Sequence, residues 1–113
     1  MMKPEIIIAM LLLEKIDKED VNVKTLSNSI ALLKKRGLDV SNISLRNVPG
    51  GYYSDEVESF IGRLLLFNYA QQRSPIKLSS EGKELCNNIS EKAKTEHPYE
   101  VDKINQLIKT SEI

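Results

Sequence analysis

Tryptophan is absent, histidine and cysteine occur once each, and neither sign of charge prevails: 16 Lys and Arg stand against 16 Asp and Glu in 113 residues. Each shortage excludes something. Cys86 alone forms no disulfide within the chain and no multi-thiolate metal site, and such usage fits a reducing cytoplasm. His97 alone, beside Pro98 in an apparent linker, leaves a histidine-assisted nucleophile or a histidine-rich zinc site without its parts. No cofactor and no metal are expected. A zero charge sum removes the strongly basic character that by itself would announce a nucleic-acid partner. Five Gly and four Pro exclude collagen-like or low-complexity character. The apolar run Ile6 to Leu13 covers eight residues, where a membrane span needs about 20. A single lysine before it and the acids Asp17, Glu19 and Asp20 after it do not make a signal peptide. The expectation is a cytoplasmic protein with no membrane partner.

What is present, 41% apolar and 28% charged residues, predicts one globular domain over residues 1–113. Pro4 suits the first turn of a helix whose apolar residues, Ile6 to Leu13 and Ile16, lie all round the cylinder. A buried strand competes for the first eight of these, but Ala9, Met10 and three leucines running into Glu14 and Lys15 favour the helix. Asn22 caps a second helix with Val23, Leu26, Ile30, Ala31 and Leu33 near one stripe. Lys34, Lys35 and Arg36 complement the carbonyl end of its dipole, and Gly37 stops it. Between Leu38 and Gly51 the apolar period changes to two, which predicts one short strand near residues 43–48, with Pro49-Gly50-Gly51 as a breaker.

Ser54 caps a third helix with Val57, Phe60, Ile61, Leu64, Leu65 and Phe67 on a wide apolar face, and Asn68 ends it. A hairpin follows, with a polar, turn-rich segment from Gln71 to Pro75 and alternation at Ile76 and Leu78. Ser79 opens a fourth helix with Leu85, Cys86, Ile89 and Ala93 inward, broken at His97-Pro98. A last helix, within 99–113, carries Val101, Ile104, Leu107 and Ile108 on one side, either packing back or pairing with another chain.

Two phrases carry a resemblance. Leu78-Ser79-Ser80-Glu81-Gly82-Lys83-Glu84-Leu85 is similar to the wing-to-helix junction of prokaryotic winged-helix regulators, and Gly51-Tyr52-Tyr53-Ser54 with Glu56 and Val57 is similar to the Gly-Pro-Tyr-Ser phrase of Panacea antitoxin-like winged-helix proteins. The resemblance implies a mainly α, α+β fold: a winged helix with a small β-hairpin wing and additional terminal helices. It also implies a regulator that binds double-stranded DNA, with the third helix in the recognition position and residues 71–77 as the wing.

Charge is uneven along the chain. Residues 21–46 carry Lys24, Lys34, Lys35, Arg36 and Arg46 against Asp39, and residues 73–83 add Arg73, Lys77 and Lys83 against Glu81. On a winged helix, Lys34, Lys35, Arg36, Arg46, Arg73 and Lys77 become the candidate phosphate contacts, with Asn47, Gln71, Gln72 and Ser74 as neutral donors. The third helix opens on Asp55, Glu56 and Glu58, which either repel phosphate or simply favour the positive end of the helix dipole. Catalysis is not expected: paired acids are adjacent and diverge on a helix, and no Gly-rich phosphate loop follows a strand. The alternative is an antitoxin-like adaptor that binds a protein partner through Tyr52, Tyr53 and Tyr69. A homodimer is expected from the apolar surplus of the first and last helices.

Overall fold

The computed structural model describes residues 2–111; residues 112 and 113, the end of the expected C-terminal segment, lie outside the described residues. Helix α1 (Pro4–Lys15) has Pro4 in its first turn and no side-chain cap. Ile7, Ile8, Ala9, Met10, Leu11 and Leu12 are buried on all sides of it, and even Lys15 is enclosed, its ammonium reaching Glu19 at 2.8 Å. It packs on α4 most extensively, then on α3 and α2. The surplus that the sequence assigns to a second copy is therefore covered within one chain, because three helices rather than one flank receive it.

Helix α2 (Val23–Lys35) begins with a reciprocal cap: Thr25 donates its backbone N–H to Asn22 Oδ1 at 3.0 Å, and Asn22 donates its own N–H to Thr25 Oγ1 at 2.8 Å. Val23, Leu26, Ile30 and Leu33 are buried, and Gly37 stops the helix at φ 98°. Ala31, placed with that stripe by spacing, instead lies half-buried toward the neighbouring hairpin.

The single strand expected near 43–48 is a hairpin. Strand β1 (Arg46–Val48) pairs antiparallel with β2 (Gly51–Tyr53) in the register Arg46↔Tyr53, Asn47↔Tyr52 and Val48↔Gly51. Its position comes from α2: Asn28 Oδ1 accepts the Tyr52 backbone N–H at 2.7 Å. Gly51, at φ 143°, lies so close under Asn28 that any Cβ would collide with the amide. The residues read as a breaker are thus the turn and first residue of a paired strand.

Helix α3 (Asp55–Leu66) starts at Ser54, whose Oγ accepts the Val57 N–H at 3.3 Å while its own N–H donates to Ser27 Oγ of α2 at 3.0 Å. Val57, Phe60, Ile61 and Leu64 enter the core. Phe67 does not: as the residue after the helix, at φ −100° and ψ 14°, it leaves the helical stripe and is 63% exposed beside Leu66 at 73%. Asn68 takes the left-handed conformation, φ 62°.

The second hairpin, β3 (Ala70–Arg73) and β4 (Ile76–Leu78), is antiparallel with a bulge between Ala70 and Gln72, and its Ser74–Pro75 peptide is cis. The inner strand has a further neighbour, since the Ile76 N–H donates to the Val21 carbonyl, just ahead of α2, at 2.6 Å. Helix α4 (Ser80–Glu96) is capped by Ser79, whose Oγ accepts the Gly82 N–H at 3.0 Å and itself donates to the carbonyls of Asn68 and Tyr69, both at 3.1 Å. Cys86 and Ala93 are fully enclosed. Helix α5 (Pro98–Ser111) returns over α4 and α2, burying Val101, Ile104 and Ile108 in the same chain. Among the described residues, one buried cluster joins the five helices and the second hairpin, with Tyr53 of the first hairpin packed against it, in a mixed α+β fold.

Candidate functional site

The six candidate cations fall into three neighbourhoods. Arg46 and Arg73 are drawn to the first turn of α3. Asp55 holds Arg46 at 3.1 Å, and the same guanidinium lies 5.0 Å over the Tyr53 ring, within cation–π range. Glu58 receives the Tyr53 hydroxyl on one oxygen and the Arg73 guanidinium on the other. Glu56 turns away from both and accepts the backbone N–H and the hydroxyl of Ser44, the latter at 3.0 Å. All three acids of this turn have partners on other elements, so the helix dipole is only part of their role. Sequence spacing gave no sign of this, because each partner lies on a strand or loop whose approach to α3 depends on tertiary packing.

Lys34, Lys35 and Arg36 form the second neighbourhood. All three are exposed, and none is in an ion pair among the described residues. Lys34 and Lys35 line a cavity of about 380 Å³ with Ala31, Leu45 and Tyr52. A second cavity of about 320 Å³ lies along the same face, sharing Ala31, Lys35 and Tyr52 and extending to Asn28, Leu32, Gly50 and Gly51. Asn28, Leu32 and Leu45 are members of this face that spacing alone does not single out. The pattern that marks them is the polar Asn28 on α2 opposite the Gly-Gly turn.

Lys77 is the third. It is exposed on β4 in a shallow groove with Asp17, Glu19 and Asp20 from the connection after α1, where Lys83 also reaches Asp17 at 3.5 Å. The local field around Lys77 is therefore mixed rather than basic.

The three tyrosines have separate surroundings. Tyr52 faces α2, whereas Tyr53, the next residue along the strand, is bonded to Glu58 on α3. Tyr69 packs partly buried where its carbonyl meets the start of α4. Among the described residues, no group of three His, Cys, Asp or Glu is placed to hold a metal ion, and no helix is long and apolar enough to cross a membrane. Compared with models of known protein families, with curated proteins and with solved structures, the chain matches none.

Proposed function

We propose that this protein is a winged-helix domain that acts in regulation by binding double-stranded DNA rather than by catalysis. The observation that carries the reading is the Ile76 N–H to Val21 carbonyl bond. It sets the inner strand of the second hairpin beside the segment entering α2, so that this segment, α2, α3 and the hairpin follow the order of a winged helix, with β3 and β4 as the wing. The sequence phrase from Leu78 to Leu85 falls where that reading needs it, at the junction of wing and helix.

On this reading Lys34, Lys35 and Arg36, free of ion pairs among the described residues, meet phosphates together with Lys77. Arg46 and Arg73 reach phosphate only by exchanging Asp55 and Glu58 for it. The test is fluorescence anisotropy on a duplex of arbitrary sequence over a salt series. The triple variant Lys34→Ala/Lys35→Ala/Arg36→Ala should bind every sequence more weakly, with a salt slope lower by about one per lost contact. A wild-type protein that ignores duplex DNA at low salt overturns the reading.

A second reading, an adaptor for a protein partner, is favoured by the acids of α3. A recognition helix usually meets the major groove with its amino-terminal end, and here that end carries Asp55, Glu56 and Glu58, each already engaged within the chain. Cations there are compensated, which weakens the counterion release on which DNA affinity rests.

A further inference from the structure

The two cavities that meet at Tyr52 form one trough between α2 and the first hairpin. Its floor is apolar, made of Ala31, Leu45 and the half-buried Tyr52 ring, and its rim is cationic, made of Lys34 and Lys35. Among the described residues, no carboxylate lines either cavity. These lysines differ from Arg46 and Arg73 in having no acidic partner among the described residues, so their charge stands uncompensated over a concave, low-dielectric surface, where field lines are focused.

From this charge complementarity we infer that the trough docks a short acidic peptide segment of a partner protein, with apolar side chains seated in the two cavities and carboxylates on Lys34 and Lys35. The inference deepens the adaptor reading and rests on it. Cavities of about 380 and 320 Å³ fall in the range of small-ligand pockets, about 300–1,000 Å³, large enough to seat side chains. A duplex backbone presents charge without apolar groups to fill them, and would leave Tyr52 and Leu45 facing water. A peptide satisfies rim and floor together, giving electrostatic steering from the first and residence from the second.

The probe is a synthetic peptide alternating Glu and Phe, compared with one alternating Glu and Ser and with a nonspecific duplex, each titrated into the full chain and followed by backbone amide shifts in NMR. The Glu/Phe peptide should shift the amides of Ala31, Leu45 and Tyr52, and the Glu/Ser peptide should bind at least about tenfold more weakly. Lys34→Ala/Lys35→Ala changes only exposed side chains and should lower Glu/Phe affinity by about tenfold while leaving the rest of the spectrum in place. Equal binding of the two peptides overturns the trough as an apolar seat. Shifts confined to Tyr53, Glu58 and Arg73 overturn the trough but leave an adaptor that works through α3. Shifts of the trough amides by duplex alone, with neither peptide binding, overturn both.

Discussion

Tyr53 and Arg73, on separate hairpins, meet on the two oxygens of one carboxylate, Glu58. The contact ties the first hairpin, the start of α3 and the tip of the second hairpin through a single side chain at the surface. Its charge balance also decides whether Arg73 is available to an anionic partner.

Replacing Glu58 by Gln keeps an acceptor for the tyrosine and removes the charge that holds the arginine. Exposed ion pairs contribute about 0–1 kcal/mol, so the urea midpoint should move little. If the proposed DNA reading holds, affinity for nonspecific duplex DNA should rise, and its salt slope should steepen by about one, as Arg73 becomes free to contact phosphate. An unchanged slope in anisotropy measurements would remove Arg73 from the proposed DNA-binding surface.

Gly82 lies in the first turns of α4, where Ala would ordinarily stabilise a helix by about 1 kcal/mol. Here a Cβ would run into the carbonyl of Tyr69, a backbone atom that Ser79 also holds by two donors. Gly82→Ala is therefore expected to destabilise, by about 1–3 kcal/mol. Chemical denaturation decides the sign, and a gain in stability would mean that the turn before α4 yields easily.

Ser27 Oγ donates to the Val23 carbonyl at 2.7 Å and accepts the buried Ser54 N–H at 3.0 Å. Ser27→Ala leaves that N–H unsatisfied in the core, at a cost of about 1–3 kcal/mol. Amide hydrogen exchange at Ser54 should accelerate beyond the global loss of stability, since the variant also loosens the entry to α3.

The Cys86 thiol, with no exposed surface, is pushed up by burial from an ordinary value of 9.0 to about 11. The native state holds this proton more tightly than the unfolded chain does. Its contribution is complete below about pH 9 and disappears as pH rises toward 11, for a total on the order of 2–3 kcal/mol. Urea midpoints from pH 8 to 11 should fall more steeply for the wild type than for Cys86→Ala. A thiol reagent at neutral pH should modify Cys86 only as fast as the chain opens.

Local chemistry was readable in the residues themselves. Asn22, Ser54 and Ser79 cap the helices they were expected to cap, Gly37 and Asn68 take positive φ, and the alternation at Ile76 and Leu78 marks the second hairpin. Those features depend on a few neighbours in sequence. The first hairpin does not: its second strand is Gly-Tyr-Tyr, too short for a period, and it is positioned by Asn28 on a helix far upstream. Phe67 continues the spacing of α3 by one residue after the helix has ended, so periodicity alone placed it in the core. The candidate cations were legible as charges, but their separation into engaged and free followed from where Asp55 and Glu58 came to rest.

Because α1 is walled in on every side from Ile7 to Leu12, that stretch has no outer surface on which polar residues are tolerated. In a library covering every substitution, its positions from Ile7 to Leu12 should accept little beyond exchanges of one aliphatic side chain for another. The outward positions of α4 should drift freely. The stretch that says least about binding would then be the most constrained part of the chain.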